Sequence, residues 1–263
     1  MKILFFGDVI GRPGREALKK ILPVWRKKYS PDAVIINGEN LAHGFGVTQK
    51  TIKEILDLKI DLITSGNHIW QHKESAALLG NKKIPLIRPA NYPPGVPGAG
   101  YKFFNVGKTK ILVANFIGRV FMKQDFDCPL RAADKILKIE GKKADLIIFD
   151  FHAEATAEKI CFGFYLDGRV SAVLGTHTHV PTADLRILPK GTAYVTDVGM
   201  VGPHYSSIGL QAEPIIKNLL TQIPSHPKPD VAPGPVEINA VLLDFGKKGK
   251  VEKFERLRKI VNI

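Results

Sequence analysis

Three apolar runs early in the chain leave little choice of fold. Lys2–Gly7, Pro31–Gly38 and Asp61–Gly66 are short, rich in aliphatic and aromatic side chains, and each ends at a glycine, so they read as buried strands. Between the first two, Arg12–Tyr29 carries Leu18, Ile21, Leu22 and Trp25 on one face at helical spacing, opened by Arg12-Pro13-Gly14 and slightly weakened by Pro23. Thr48–Leu58 forms a second helix before the third strand. Strand, helix, strand, helix, strand at this spacing predicts a parallel α/β sheet.

The rest of the chain supplies a second half. Lys73–Leu79 continues as a short helix, and Pro89–Gly100, with Pro93, Pro94 and Pro97, is an irregular loop. Tyr101–Val106 and Lys110–Phe116 flank Gly107-Lys108-Thr109 as a hairpin would. Helices are expected at Leu130–Ile139, Glu154–Leu166 and Gln211–Leu220, and buried strands at Ala144–Phe151 and from Ser171 onward. Short strands follow near Asp184–Leu188 and Thr192–Thr196, and two late ones at Val236–Leu243 and Lys250–Leu257; Ile223–Pro235, with five prolines, reads as an exposed loop. Neither a repeat nor a linker interrupts the pattern, so residues 1–263 are expected to be one domain whose two sheets pack on each other.

No apolar stretch approaches the ~20 residues of a membrane span, and the N-terminal run is too short for an export signal before it meets Asp8. A cytoplasmic location is expected, which suits two cysteines, Cys128 and Cys161, without C-x-x-C spacing. The formal net charge of +13 would attract polyanions. Its excess is spread over Lys19-Lys20, Arg26-Lys27-Lys28, Lys82-Lys83, Lys142-Lys143 and Lys247-Lys248-Gly249-Lys250, without the aromatic interleaving of a nucleic-acid module, so solvated faces are favoured over polymer binding.

Ser171-Ala172-Val173-Leu174-Gly175-Thr176-His177-Thr178-His179 is a strand that delivers ligands. In extended backbone residues i and i+2 point the same way, so His177 and His179 are expected to aim their rings into one volume. Taken alone, the pair could equally be two polar loop residues, because a metal site needs further ligands. Strand carboxyl ends are where open α/β folds gather them. There the other runs present Asp8, Asn37-Gly38-Glu39-Asn40, Asn67-His68 and His152, four of the five strand ends having glycine at or near the polar group. Singly, each could cap a helix or sit in a turn; jointly they supply mixed nitrogen and oxygen ligands for two metals, and two ions ~3.5–4 Å apart are the standard clamp for displacement at a phosphoester.

Asp8, Gly38-Glu39, Gly66-Asn67-His68, His152 and Gly175-Thr176-His177-Thr178-His179, in this order and spacing, resemble the five motifs of the calcineurin-like metallophosphoesterases. More narrowly, Gly7-Asp8-Val9-Ile10-Gly11-Arg12-Pro13-Gly14, Asn37-Gly38-Glu39-Asn40 and Thr196-Asp197-Val198-Gly199-Met200-Val201-Gly202-Pro203 resemble the bacterial YmdB-like branch, nearly end to end. The resemblance implies a four-layer α-β-β-α sandwich and a centre of two divalent or mixed-valence transition-metal ions, iron before manganese. It also implies hydrolysis of cyclic nucleotides, 2′,3′-cyclic AMP especially, to the 3′-phosphate. The first motif of the wider superfamily is D-x-H, and Ile10, which stands at the histidine position here, cannot bind a metal. By the resemblance, an Asn40 carbonyl oxygen fills that place and Glu39 replaces a bridging aspartate. Asp8, Asn40 and His179 then hold one ion, Asn67, His152 and His177 the other, and Glu39 bridges them.

The ions would make hydroxide available near neutral pH and neutralise phosphoryl charge. His68, next to a ligand, is the candidate acid for the departing alkoxide. Ile69 stands where the superfamily has an acidic residue, so something else must orient the His68 ring. His43 and His204 are candidates for the cleft wall or for exposed loops, and His72 is a spare histidine. The loops Ala42–Gly46, Pro89–Gly100 and Gly199–Gly209 are expected to stand over the strand ends and favour a pocket for one nucleotide over an open groove. Two other readings stay open: a nuclease, favoured by the +13 charge, and a regulator that keeps its metals without turnover. Homo-oligomerisation is equally open.

Overall fold

A computed structural model of the protein describes residues 1–224, 229–246 and 249–263. Its first strand, β1 (Lys2–Asp8), is buried on both faces, and its side chains divide between two apolar layers. Ile3 and Phe5 join a layer that also contains Ile35, Leu62, Val113, Ile148 and Leu174. Leu4 and Phe6 join another, with Ala17, Leu18, Ile21, Leu22 and Trp25. Alternation of successive side chains across a strand makes one seven-residue run serve both.

The first sheet has β1 at its centre, parallel to β2 (Ala33–Asn37), which is parallel to β3 (Leu62–Thr64). On the other side of β1 runs β11 (Val236–Phe245), antiparallel, flanked by β10 (Val201–Pro203) and β12 (Val251–Val261). The second sheet is ordered β4 (Tyr101–Val106), β5 (Thr109–Ile117), β6 (Leu146–His152), β7 (Ala172–Thr176), β9 (Ala193–Val195) and β8 (Arg186–Ile187). Its strands β5, β6, β7 and β9 are parallel.

Helices close the outer faces. The helices α1 (Gly11–Tyr29) and α2 (Gln49–Leu56) cover the first sheet, with Trp25 stacked on Phe6 at 5.5 Å between ring centroids. After the short α3 (Ser75–Gly80) come α4 (Pro129–Glu140) and α5 (Thr156–Leu166), which cover the second sheet through Ala133, Ile136, Phe162 and Leu166. Three apolar layers thus separate four layers of secondary structure, the α-β-β-α sandwich expected. Local chemistry sets the ends: α1 stops where Ser30 turns left-handed at φ 48°, and Thr48 caps α2 through a reciprocal bond with Thr51. Pro129 opens α4 where a missing N–H costs nothing.

Most expected elements lie within a few residues of their places. The strand β10 is a correction, since Val201–Pro203 falls inside the expected Gly/Pro-rich loop Gly199–Gly209; it is held by β11, which is distant in sequence. Residues 225–228 of the proline-rich stretch, and Lys247-Lys248 of the basic tail, lie outside the described residues.

The two sheets are stitched near their upper edge by Thr196–Gly199. A Cβ on Gly175 would lie 1.7 Å from the Thr196 carbonyl oxygen, and one on Gly7 1.7 Å from that of Gly199. Strand ends β1 and β7 can accommodate this crossing segment only without side chains there, and Val198 enters the layer between the sheets. Gly175→Ala is expected to cost at least about 2 kcal/mol through overpacking against backbone, which for this chain length lowers Tm by at least about 4 °C. Thermal unfolding followed by circular dichroism checks it, and an unchanged Tm would mean that the segment does not pass this closely.

Candidate metal centre

The parallel strands β1, β2 and β3 of one sheet and β6 and β7 of the other end at the same edge, and there the polar residues meet. Asp8 closes β1 and His152 closes β6, both fully buried. Glu39 and Asn40 follow β2, Asn67 and His68 follow β3, and His177 and His179 follow β7.

Four of these converge closely. His152 Nε2 lies 3.1 Å from Glu39 Oε2, 3.0 Å from Asn67 Oδ1 and 3.0 Å from His177 Nδ1. On the other flank, His179 Nε2 is 3.8 Å from Asp8 Oδ1 and 3.2 Å from the Asn40 side-chain nitrogen, which also lies 3.2 Å from Glu39 Oε1. Two groups able to hold an ion emerge, Glu39 with His152 and His177, and Asp8 with Glu39 and His179, and Glu39 belongs to both.

The donor set fits metal ions. Carboxylate oxygens, an amide oxygen and imidazole nitrogens face one another at hydrogen-bonding distances, where lone pairs would repel unless a cation or proton stood among them. Asp8 Oδ1 is buried without any hydrogen-bond partner, a costly state for a carboxylate oxygen. Asn40 presents its amide nitrogen in this arrangement, and a half-turn of the amide would present the oxygen instead. Its main-chain carbonyl is engaged by the Gly11 N–H, so the side chain is the part of Asn40 that reaches the centre.

The electrostatics report the same demand for positive charge. Burial works against a charged His152, but the facing Glu39 carboxylate, with Asp8 and Asp150 beyond it, outweighs burial and pushes the imidazole up to about 9. Burial, and then the neighbouring His152, pushes His177 down to about 3. Asp8 is raised above the usual carboxylate range by burial, against the pull of His179 and His152.

A supporting layer holds these groups, and much of it was not foreseen. His152 Nδ1 meets Thr176 Oγ1 at 2.9 Å, and that hydroxyl donates to Asp150 Oδ1 at 2.7 Å, which leaves Nε2 turned into the centre. Asp150 is buried and also accepts from Asn37 Nδ2 at 3.0 Å and from the Thr64 hydroxyl, so it ties the two sheets beneath the site. Burial raises its pKa to about 6 against these donors. Lys159 and Asp197 form a buried ion pair at 2.8 Å, and Asp197 Oδ2 also accepts the Thr178 N–H at 3.0 Å. That pair fixes the turn bearing both histidines. Asp197 stands within one of the matching motifs and Asp150 within an apolar run, where a single buried carboxylate was the available signal. Glu154, 3.0 Å from His177 Nε2, carried none.

The reason given for the histidine pair needs correction. The strand β7 ends at Thr176, and His177 and His179 lie beyond it at φ 99° and 66°, so neither is in extended backbone. Their rings diverge to the two candidate groups instead of sharing one volume, held by His177 N–H to Asp8 Oδ2 at 3.1 Å and by His179 Nδ1 against the Ile208 carbonyl at 2.8 Å. The glycines at the strand ends serve close approach more than turning: a Cβ on Gly66 would lie 2.2 Å from Glu39 Oε2 and 2.3 Å from His152 Nε2.

His68 is half-buried at the rim. Its N–H donates to Glu39 Oε2 at 3.2 Å, and its ring stands edge-on to Phe45, 4.9 Å between centroids, which answers what orients it. His72 bonds the Phe45 carbonyl at 2.9 Å and so supports that ring. His43 is exposed, and His204 pairs with Glu237 at 2.7 Å. Among the described residues, no helix is long and apolar enough to cross a membrane.

Comparison with known proteins gives the chain's family. The model of the YmdB-like protein family matches residues 4–257. A 2′,3′-cyclic-nucleotide 2′-phosphodiesterase of Bacillus subtilis (strain 168) is 45% identical over 259 residues, 98% of this chain and 96% of the relative. A crystal structure of a hypothetical protein from Thermus thermophilus superposes with a TM-score of 0.92 at 43% identity, covering 99% of both chains. A phosphatase structure from Mycoplasma pneumoniae gives a TM-score of 0.92 at 37% identity, covering 99% of this chain and 93% of that one. With its four-layer architecture and its matching motifs, the chain belongs to the YmdB-like family of calcineurin-type metallophosphoesterases.

Proposed function

We propose that the protein is a dinuclear phosphodiesterase that hydrolyses small cyclic nucleotides, 2′,3′-cyclic AMP foremost, to the 3′-phosphate. The observation that carries the reading is Glu39, the one carboxylate common to both candidate ion groups. Asp8, Asn40 and His179 would hold one ion and Asn67, His152 and His177 the other, with Glu39 shared between them; nitrogen and oxygen ligands without thiolate suit iron or manganese, and the family resemblance puts iron first. Bound there, the ions supply an activated water and neutralise the phosphoryl oxygens.

The chain's own residues do the rest. Thr176 and Asp150 keep His152 Nδ1 occupied, and the Lys159–Asp197 pair keeps the 177–179 turn in place. His68, edge-on to Phe45 and tied by its main-chain N–H to Glu39, stands at the rim, where a ring N–H can reach a leaving oxygen. Hydroxide adds to phosphorus, the bond to the 2′-oxygen breaks, and the His68 imidazolium gives that oxygen its proton while the 3′-ester is retained. A strained five-membered diester needs little more. The choice of the 2′,3′ isomer follows the activity of the Bacillus subtilis relative.

Steady-state kinetics on 2′,3′-cyclic AMP, 3′,5′-cyclic AMP and single-stranded RNA test the substrate. The highest kcat/KM is expected for the 2′,3′ isomer; a higher value for RNA would establish the nuclease reading, and no turnover of any diester would establish a regulator. Glu39→Gln is expected to weaken both ion sites and lower activity by orders of magnitude. His68→Ala is expected to keep its metals and lose roughly 10²–10⁴-fold in kcat; metal loss in that variant would make His68 a ligand.

Metal analysis is expected to give about two ions per chain, and at most one under saturating Mn²⁺ would rule out the dinuclear centre. Loading must displace the proton from His152, whose metal-free pKa is pushed up to about 9. Below that value the imidazole is protonated, so apparent affinity rises with pH by roughly tenfold per unit between about pH 6 and 8.5 and levels off above. Calorimetric titration of the apo-protein in buffers of different ionisation enthalpy reads both the slope and the released proton.

A further inference from the structure

Ten arginines stand in the chain. Eight of them hold a carboxylate, a main-chain carbonyl or an aromatic ring. The side chains of Arg119 and Arg131 have no such partner among the described residues, and both line one cavity of about 630 Å³. Lys135, one helical turn after Arg131 on α4, lines it too. With Arg88, which its carbonyl partners hold in the wall, four cations face a single carboxylate, Asp127. Paired guanidinium groups left open in a concave site suit an oxyanion, because their planar forks match phosphate oxygens two at a time.

The cavity stands beside the metal centre. Asn91, buried in its wall, donates to the carbonyls of Ile117 and Asp127 at 2.8 Å each. Ile117 ends β5 opposite His152, and the Gly118 N–H donates to the His152 carbonyl at 3.0 Å, so Arg119 leaves the chain just past the strand end that carries a proposed ligand. Another wall is Tyr92, edge-on to Trp70 at 5.9 Å, and Trp70 lies two residues beyond His68. Burial pushes the Tyr92 phenol up to about 12 and the Glu39 charge adds to the rise, so this ring is within electrostatic reach of the shared carboxylate.

We propose that the cavity receives a phosphoryl group carried on the 5′-oxygen of the cyclic nucleotide, so that the preferred substrates are 5′-phosphorylated 2′,3′-cyclic nucleotides or short RNA fragments ending in a 2′,3′-cyclic phosphate. This substrate class builds on the function proposed above. The 5′-oxygen leaves the ribose on the side away from the 2′- and 3′-oxygens, so with the cyclic phosphate at the metals a 5′-phosphoryl group lies one sugar further along. There Arg119 and Arg131 meet charge that Glu39 and Asp8 would repel. The volume is that of a small-molecule pocket, ~300–1,000 Å³, which suits one further phosphate or nucleotide and not a long polymer.

Steady-state kinetics of the metal-loaded protein compare 2′,3′-cyclic AMP, its 5′-phosphorylated form, and the adenosine dinucleotide that ends in a 2′,3′-cyclic phosphate. The second and third are expected to exceed the first in kcat/KM by at least about tenfold, the effect of one charge-assisted hydrogen bond, mostly through KM. Arg119→Ala combined with Arg131→Ala is expected to bring that ratio close to one. Each ratio is taken on a single preparation, so any unfolded fraction cancels. A higher value for the dinucleotide identifies the internucleotide diester as the occupant, and a higher value for the 5′-phosphorylated mononucleotide identifies the monoester. A wild-type ratio near one, or a raised ratio that survives both substitutions, overturns the proposal. Absence of turnover on all three sinks the phosphodiesterase reading instead, and calorimetry then decides the cavity. Adenosine 3′,5′-bisphosphate is expected to bind at least about tenfold more tightly than adenosine 3′-phosphate, with the difference lost in the double variant; equal affinities in the wild type overturn the site.

Discussion

Glu39 and His152 meet at 3.1 Å with almost no exposure to solvent, one carried by the first sheet and the other by the second. Neither group would stay there on its own account, since a buried carboxylate and a buried imidazole each lose hydration on entering the protein. The apolar layers on both sides of each sheet hold the strands in register, and the strand ends are fixed as a consequence. Cohesion of the core is thereby converted into a pocket of acceptors poorly satisfied except by positive charge.

Beneath that pocket the support is polar and continuous across the two sheets. Asp150 collects hydroxyl and amide donors from β3, β2 and β7. Lys159 and Asp197 do for the histidine turn what Asp150 does for the floor. Both carboxylates are fully buried, so each depends on the donors packed around it, and the geometry of the polar side chains above is as firm as those bonds.

Much of this was legible in the sequence because the signals are local. Runs such as Lys2–Gly7 declare a strand, and a polar residue directly after such a run falls at the strand's end whatever the rest of the chain does. Asp8, Glu39, Asn67, His152, His177 and His179 could be named that way. What escaped depended on residues far apart in the chain. Val201–Pro203 is a strand only because β11 comes to pair with it, and Lys159 sits on a helix where a lysine ordinarily faces water. The histidine pair was found for a reason that does not hold, since left-handed backbone at His177 and His179 cannot be read from H-x-H.

The position of β1 has a consequence for how the protein comes to be made. The strand β1 is at the centre of its sheet, with β2 on one side and β11, which comes far later in the chain and ends at Phe245, on the other. During vectorial synthesis one edge of Lys2–Asp8, with Leu4, Phe5 and Phe6 beside it, stays unpaired until β11 has emerged. An open apolar edge is a template for wrong partners, and closing it across this span is slow because the loop entropy must be overcome first. Wrong pairing at that edge is therefore a hazard for as long as β11 has yet to arrive.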